Sequence, residues 1–240
     1  MKSILDKHVK AYEGQNQYDF DNDILLNWYP QRIIKFTKNA QSILELGIGH
    51  GFTTKIFSEH FKRHVVLEGS LAVIDNFKKR FPDCRAQIIE TYFENFATDE
   101  NFDAIIMGFI LEHVDNPFET ITRFKEFLLP NGKMFIAVPN AEVLNRRLGH
   151  LAGILPDIQK LSENDFILGH KRYYTVESLT EEVRRAGFEI ERMEGIYLKP
   201  FTTKQMTSLN FDKNIIDALC QVGIDYPELC CGILAQLKEV

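Results

Sequence analysis

The feature that most restricts this chain is an alternation of short apolar runs with segments of helical pattern. VVL (65–67), AIIM (104–107) and MFIAV (134–138) suit strands buried on both faces. Strands are expected at 42–46, 64–68, 85–89 and 103–107, with a further one in LLPNGKMFIAVPN. Between them the pattern predicts helices over 52–61, 71–81 and 117–129, the last with Pro117 in its first turn. A helix over about 22–38, with Ile24, Leu25, Trp28, Ile33 and Ile34 at helical spacing, leads into them. Such an order implies an α/β protein with a doubly wound parallel sheet and helices on both faces. Its binding crevice should lie outside the carboxyl ends of the strands.

Composition narrows the class. The 240 residues suffice for one substantial domain, and no apolar run approaches the ~18 residues of a membrane span. The N-terminus lacks a signal-like apolar segment, so a cytoplasmic protein is expected, with no membrane insertion. The four cysteines, Cys84, Cys220, Cys230 and Cys231, show no metal-ligand spacing and read as free thiols. A net charge of −6 argues against a nucleic-acid partner.

The stretch ILELGIGHGFTT (43–54) then asks which ligand a glycine turn serves. Gly47, Gly49 and Gly51 bring main chain close to something, since glycine carries no Cβ. The dinucleotide fingerprint would need its third glycine at 52, where Phe52 stands, and no Gly-Lys-Ser/Thr follows. Two residues before the first glycine, Glu45 would repel a pyrophosphate yet could hold an ammonium group, directly or through water. Glu68, closing the second strand, stands where a carboxylate can accept both hydroxyls of a ribose. A ligand with a ribose, an amine and no phosphate is S-adenosylmethionine.

With those residues in place, the sequence resembles the class I S-adenosylmethionine-dependent methyltransferases, whose Rossmann-like sheet has seven strands. The likeness runs over about 40–140 through ELGIGHG, VVLEGS, FDAIIMGFILEHVDNP and LLPNGKMFIAVPN. It implies that Gly47, Gly49 and Gly51 line the methionine part, with Glu45 near its amine. It implies Glu68 on the ribose, Gly69 and Ser70 beside the adenine, and Gly108 and Phe109 on the methionine portion. Where the family usually has an adenine-binding Asp after the third strand, this chain has Thr91, beside Tyr92 and Phe93. Further along, VPNAEVLNRRLGHLAGILP, GHKRYYTVESLTEEVRRAGFEI and the terminal YLKPFTTKQ…YPELCCGILAQLKE resemble methyltransferases of bacterial capsule and surface-polysaccharide loci. That likeness implies a polar acceptor: a sugar, a nucleotide-linked sugar, or a phosphate- or phosphoramidate-type group.

Charge supports the same acceptor. Asn140, Asn145, Arg146, Arg147, His150, His170, Lys171 and Arg172 cluster beyond the sheet's carboxyl edge in an otherwise acidic chain. Arginine forks match phosphate or carboxylate, although Arg146 and Arg147 would equally suit a solvated helix face paired with nearby acids. Asn140, Arg146, His170, Arg172 and Tyr173 are therefore the candidate acceptor contacts. His113, in LEHV after the fourth strand, is the candidate catalytic residue: a base for a hydroxyl, or an orienting donor for an acceptor already anionic. Upstream, KAYEGQNQYDFDND suits a lid, with Tyr12 and Tyr18 reaching inward. The whole reads as one methyltransferase domain over 1–240: lid and first helix (1–38), cofactor-binding core (39–140), acceptor-side cover (141–175), and remaining strands and helices (176–240).

The expected activity is O-methylation of a small polar, anionic metabolite. N-methylation of an amino sugar, or a non-catalytic subunit that keeps the fold for partnering, are the alternatives. A base-amine methyltransferase would carry an Asn/Asp-Pro-Pro-aromatic motif where this chain has MGFILEH, and a cytosine-C5 enzyme would need a cysteine near the site. A metal-assisted catechol-type enzyme would need clustered carboxylates, and only Glu112 and Asp115 stand after the fourth strand. No metal is therefore expected.

Overall fold

The computed structural model describes residues 19–240. Helix α1 (Asp19–Phe36) leads into β1 (Ser42–Leu46), α2 (Phe52–His60), β2 (Arg63–Glu68), α3 (Leu71–Arg80) and β3 (Gln87–Glu90). Next come β4 (Phe102–Gly108), α4 (Pro117–Lys125) and β5 (Leu128–Pro139), then α5 (Leu144–Leu151), α6 (Glu163–Leu168) and α7 (Val176–Arg185). The chain closes with β6 (Phe188–Leu198), α8 (Thr203–Leu209), α9 (Lys213–Gly223) and β7 (Cys230–Glu239).

The seven strands form one sheet in the order β3-β2-β1-β4-β5-β7-β6. Strands β1 to β5 pair in parallel, while β7 lies antiparallel between β5 and β6. The sheet is thus mixed rather than wholly parallel. Because α8 and α9 return the chain to the end where β6 leaves the sheet, β7 starts at the carboxyl edge. Gly232 there pairs with Pro139 of β5, and Cys230 with Leu198 of β6.

Strand pleating sorts the apolar runs onto two faces. Ile105 and Met107 join Phe124 of α4 and Leu179 and Val183 of α7. Ala104 and Ile106 join Tyr29 and Ile33 of α1 and Phe57 of α2. Each such large side chain contributes about 1.5–3 kcal/mol by leaving water. Helix α4 starts where expected, capped by the Asn116 side chain with Pro117 behind it, but ends at Lys125 rather than 129. Leu128 instead opens β5 and pairs with Phe102, since a lone apolar residue packs equally well from either element.

One joint brings the region beyond β5 back to that strand. Asn140 and Tyr174 form an isolated parallel bridge, with Ala141 donating its N–H to the Tyr174 carbonyl at 2.8 Å. The stretch carrying α5 and α6 therefore leaves the end of β5 and returns beside it. Among the described residues, no helix is long and apolar enough to cross a membrane.

Candidate functional site

A cavity of about 440 Å³ opens at the carboxyl edge of β1, β2 and β4. Gly47, Ile48, Gly49, His50, Gly51 and Thr53 line its floor, with Glu68 and Ser70 to one side. Gly108, Phe109, Ile110, Glu112 and His113 follow from β4, and Leu168, Gly169, His170 and Lys171 come from the end of α6. Asn22, Leu25, Leu26 and Tyr29 of α1 and Cys231 of β7 complete the wall.

The glycines are required by the backbone itself. Gly47 and Gly51 have φ of 77° and 81°, the left-handed region that side chains resist. A Cβ at Gly47 would lie 2.6 Å from Ile110 Cδ1, and one at Gly51 2.5 Å from Phe77 Cδ2. The turn is thus packed closely by Ile110 and Phe77, and only glycine fits at either position. Phe109 adopts φ 57° beside them, a strained conformation for a phenylalanine, with its ring edge-on to Tyr29 at 5.6 Å.

Glu68 fits the ribose role in position and capacity. Its carboxylate accepts the Ile48 N–H at 3.1 Å and the Ser70 N–H at 2.8 Å. A carboxylate has about four acceptor sites, so with Ile48, Ser70 and Gly69 as backbone donors room remains for a hydroxyl. Burial pushes its pKa up, while the backbone donors Ile48, Ser70 and Gly69 counter that push. Ser70 also caps α3 through Val73 N–H. These carboxylate and glycine features fit the ribose and methionine portions of S-adenosylmethionine.

Other residues sit elsewhere than the sequence suggests. Glu45 does not line the cavity: its oxygens are taken by Thr53 Oγ1 and His64 Nε2, each at 2.9 Å. It supports the floor through Thr53, because the β1 side chains alternate and this one points into the core. Gly69, Thr91 and Tyr92 also lie outside the lining, and Thr91 turns its hydroxyl to the Tyr92 carbonyl at 3.1 Å. Phe93, next along, does reach the cavity. Tyr12 and Tyr18 lie outside the described residues.

The basic cluster disperses. Asn140 donates to the carbonyls of Pro227, Glu228 and Cys230, tying β5 to the start of β7. Arg146 donates to the carbonyls of Ala141, Ile158 and Lys160 and lies over the Tyr173 ring at 4.8 Å. Arg147 pairs with Glu142. Arg172 donates to the carbonyls of Leu111, Val114 and Asp115, clamping the loop after β4. Tyr173 gives its hydroxyl to Asp165. Nearby backbone and carboxylates engage each of these groups, and of the five candidate acceptor contacts only His170 lines the cavity.

His170 and His113 instead come together, their rings edge-to-face with centroids 4.8 Å apart. Polar atoms of Glu112, His113 and His170 lie within 4.8 Å of one another, close enough to share a proton or gather on a cation. Glu112 is buried, which pushes its pKa up to about 7 despite the opposing pull of His170 and Arg172. Its Oε2 has no hydrogen-bond partner among the described residues. Sequence spacing places Glu112 and His113 here but cannot show His170 joining them, because Arg172 and the bridge at Tyr174 carry it in from 57 positions away. Also unforeseen are Leu25, Leu26 and Tyr29 of the first helix, and Cys231, which arrives with the reversed strand.

Comparison with known proteins identifies the family and the fold. A family profile described as "Methyltransferase domain" matches residues 21–192. The chain is 24% identical over 237 residues to the mitochondrial ubiquinone biosynthesis O-methyltransferase of Rattus norvegicus, covering 86% of this chain and 65% of that one. It is 28% identical over 127 residues to the ubiquinone biosynthesis O-methyltransferase of Parvibaculum lavamentivorans, covering 49% of this chain and 46% of that one. The chain thus spans less than two thirds of the length of either relative. Its fold is similar to N-methyltransferase NodS from Bradyrhizobium japonicum WM9 in complex with S-adenosyl-L-homocysteine, with a TM-score of 0.62, 12% identity and coverage of 98% and 97%. The profile match spans most of the residues that build the sheet and the cavity, and the chain belongs to the methyltransferase domain family.

Proposed function

We propose that the chain O-methylates a small, largely apolar acceptor carrying a hydroxyl group, such as a phenolic ring. The observation that carries this reading is the make-up of the cavity. Its glycine floor and Glu68 face apolar walls from Leu25, Leu26, Phe109, Ile110 and Leu168, with the polar group Glu112, His113 and His170 on one side. A phenol would place its ring on such walls and its hydroxyl on that group. The curated relatives named above are ubiquinone biosynthesis O-methyltransferases, which favours the same acceptor class.

When bound, S-adenosylmethionine supplies an electrophilic methyl group. In this reading Gly47, Gly49 and Gly51 admit its methionine portion, Glu68 takes the ribose and Phe93 packs near the adenine. Phe109 and Tyr29 shape the apolar side, and His113 and His170 meet the acceptor oxygen. Most of the rate then comes from holding that oxygen in line with the methyl carbon, away from water. We assign the residues to one methyltransferase domain, with 141–175 as the acceptor-side cover.

The sugar- or phosphate-bearing acceptor of the surface-polysaccharide resemblance has less support. Of the basic residues that suggested it, only His170 and Lys171 line the cavity. Lys171 is moreover paired with Asp115.

A direct experiment is transfer of labelled methyl from S-adenosylmethionine to three pools: phenols, nucleotide-linked sugars and sugar phosphates. Glu68→Ala serves as the blank. Label in the phenol pool supports the proposal, whereas label confined to a sugar pool replaces it. S-adenosylhomocysteine that raises the melting temperature without label anywhere would favour the non-catalytic alternative.

A further inference from the structure

We propose that His170 is the base that takes the acceptor's proton, and that Asp165 is the residue that positions it. The inference rests on the O-methylation reading above and assigns a role within it.

The geometry is that of a carboxylate fixed behind an imidazole. His170 Nδ1 lies 2.9 Å from Asp165 Oδ1. Asp165 is 6% exposed, and its other oxygen takes the Ser162 N–H at 2.7 Å together with the hydroxyls of Ser162 and Tyr173. Four donors hold the carboxylate, so it can neither rotate away nor readily become protonated. Burial alone would push its pKa up, but the hydrogen bonds from His170, Ser162 and Tyr173 hold it well below the usual carboxylate range. An ionised Asp165 draws the ring hydrogen to Nδ1 and leaves a lone pair on Nε2. Nε2 makes no hydrogen bond among the described residues, and the ring lines the cavity.

Two further contacts aim the ring. His113 packs edge-on against it, and Lys171 N–H donates to the Glu112 carbonyl at 2.7 Å, fastening the backbone next to His170 onto the loop after β4. His170 thereby joins the cover to the wall where β4 delivers Glu112. Ser162, Asp165 and Tyr173 also fasten the cover to itself. A purely structural pair would do that much, and catalysis must therefore be read from rates rather than from stability.

The step balances without a further reactant. The acceptor oxygen forms its bond to the methyl carbon as the methyl–sulfur bond breaks, and that electron pair stays on sulfur as a neutral thioether. The acceptor's proton moves to His170 Nε2, and the imidazolium so formed is balanced by Asp165. After the product leaves, the proton passes to water.

The test measures kcat, KM and S-adenosylhomocysteine affinity for the full chain, His170→Gln, Asp165→Asn and Tyr173→Phe, over phenols of falling pKa. His170→Gln should lower kcat by about 10²- to 10⁴-fold with cofactor affinity within threefold. Asp165→Asn should lower kcat by at least tenfold and change KM little. Both losses should shrink as the phenol becomes more acidic, because an ionised acceptor needs no base. Tyr173→Phe, which removes one donor from Asp165 and leaves the pair intact, should change kcat less than threefold.

A His170→Gln enzyme within threefold of the parent, or losses independent of phenol pKa, would overturn the assignment. If His170→Gln fails to fold, His170→Gly with added imidazole decides: recovered turnover supports the role and none refutes it. A parent chain that methylates no hydroxyl at all would instead overturn the O-methylation reading and remove this proposal with it.

Discussion

The two sides of the cavity are built by different means. The floor, from β1 to α3, is a backbone construction in which glycines at positive φ and strand-end amides set the shape. The proposed cover, from 141 to 175, is a side-chain construction, with Arg146 and Arg172 reaching carbonyls across sequence gaps of 5 to 61 residues. Backbone geometry is rigid and dictated locally, so its parts can be changed only at high cost. Long side chains reaching distant carbonyls hold a surface that can be re-formed residue by residue.

The contrast can be broken most severely at the floor. Gly51→Ala adds a Cβ at φ 81° that meets Phe77 at 2.5 Å. Left-handed strain and overpacking together should cost about 3 kcal/mol and abolish the rise in melting temperature with S-adenosylhomocysteine. Denaturant unfolding with and without that ligand reads both effects, and full ligand stabilisation would show that the floor tolerates a side chain.

On the cover, Arg172→Met strips the donors from the Leu111, Val114 and Asp115 carbonyls. A loss of about 2 kcal/mol is expected, with acceptor turnover falling more steeply than cofactor affinity. Equal losses in both would mean that the cover and the floor act as one unit.

The polar group between them has its own signature. Glu112 has a folded pKa near 7, raised above its unfolded value by burial. The native state therefore holds a proton the unfolded state has released, and Glu112's contribution to stability falls as pH rises from about 4.5 to 7. Glu112→Gln should flatten that fall, by a difference on the order of 2 kcal/mol between pH 5 and pH 8. Melting curves across that range that stay parallel for both proteins would place an ionised Glu112 in the parent.

The smallest expected effect belongs to Tyr173→Phe, about 1 kcal/mol of stability from one hydroxyl on Asp165. A much larger loss would show that Asp165 depends on this tyrosine more than on Ser162.

The same contrast explains what could be read from sequence. Strand β1 spans Ser42–Leu46 as the apolar pattern predicts, and Gly47, Gly49, Gly51, Glu68 and Ser70 all line the cavity. Each of those follows from a local rule: pleat, left-handed turn or strand end. Glu45 shows the limit, since the pattern places it at the strand end but cannot reveal His64 and Thr53 waiting in the core. For Arg146, Arg172 and Asn140, residue type suggested a ligand, while the chain's own carbonyls claimed the donors. Charge in a sequence says nothing of which acceptor lies nearest. Cys231 was equally invisible, because only the reversal of β7 brings that end of the strand to the carboxyl edge.

The bridge between Asn140 and Tyr174 has one more consequence. A stretch pinned at both ends to neighbouring points can grow or shrink cheaply, since doubling a closed loop adds only about 0.6 kcal/mol of entropy. Residues spliced in between those two anchors would leave the strands unaware of the change. The protein is in that sense a fixed socket with an adjustable lampshade, whose free length lies ahead of the stretch from Asp165 to Arg172 that fastens it.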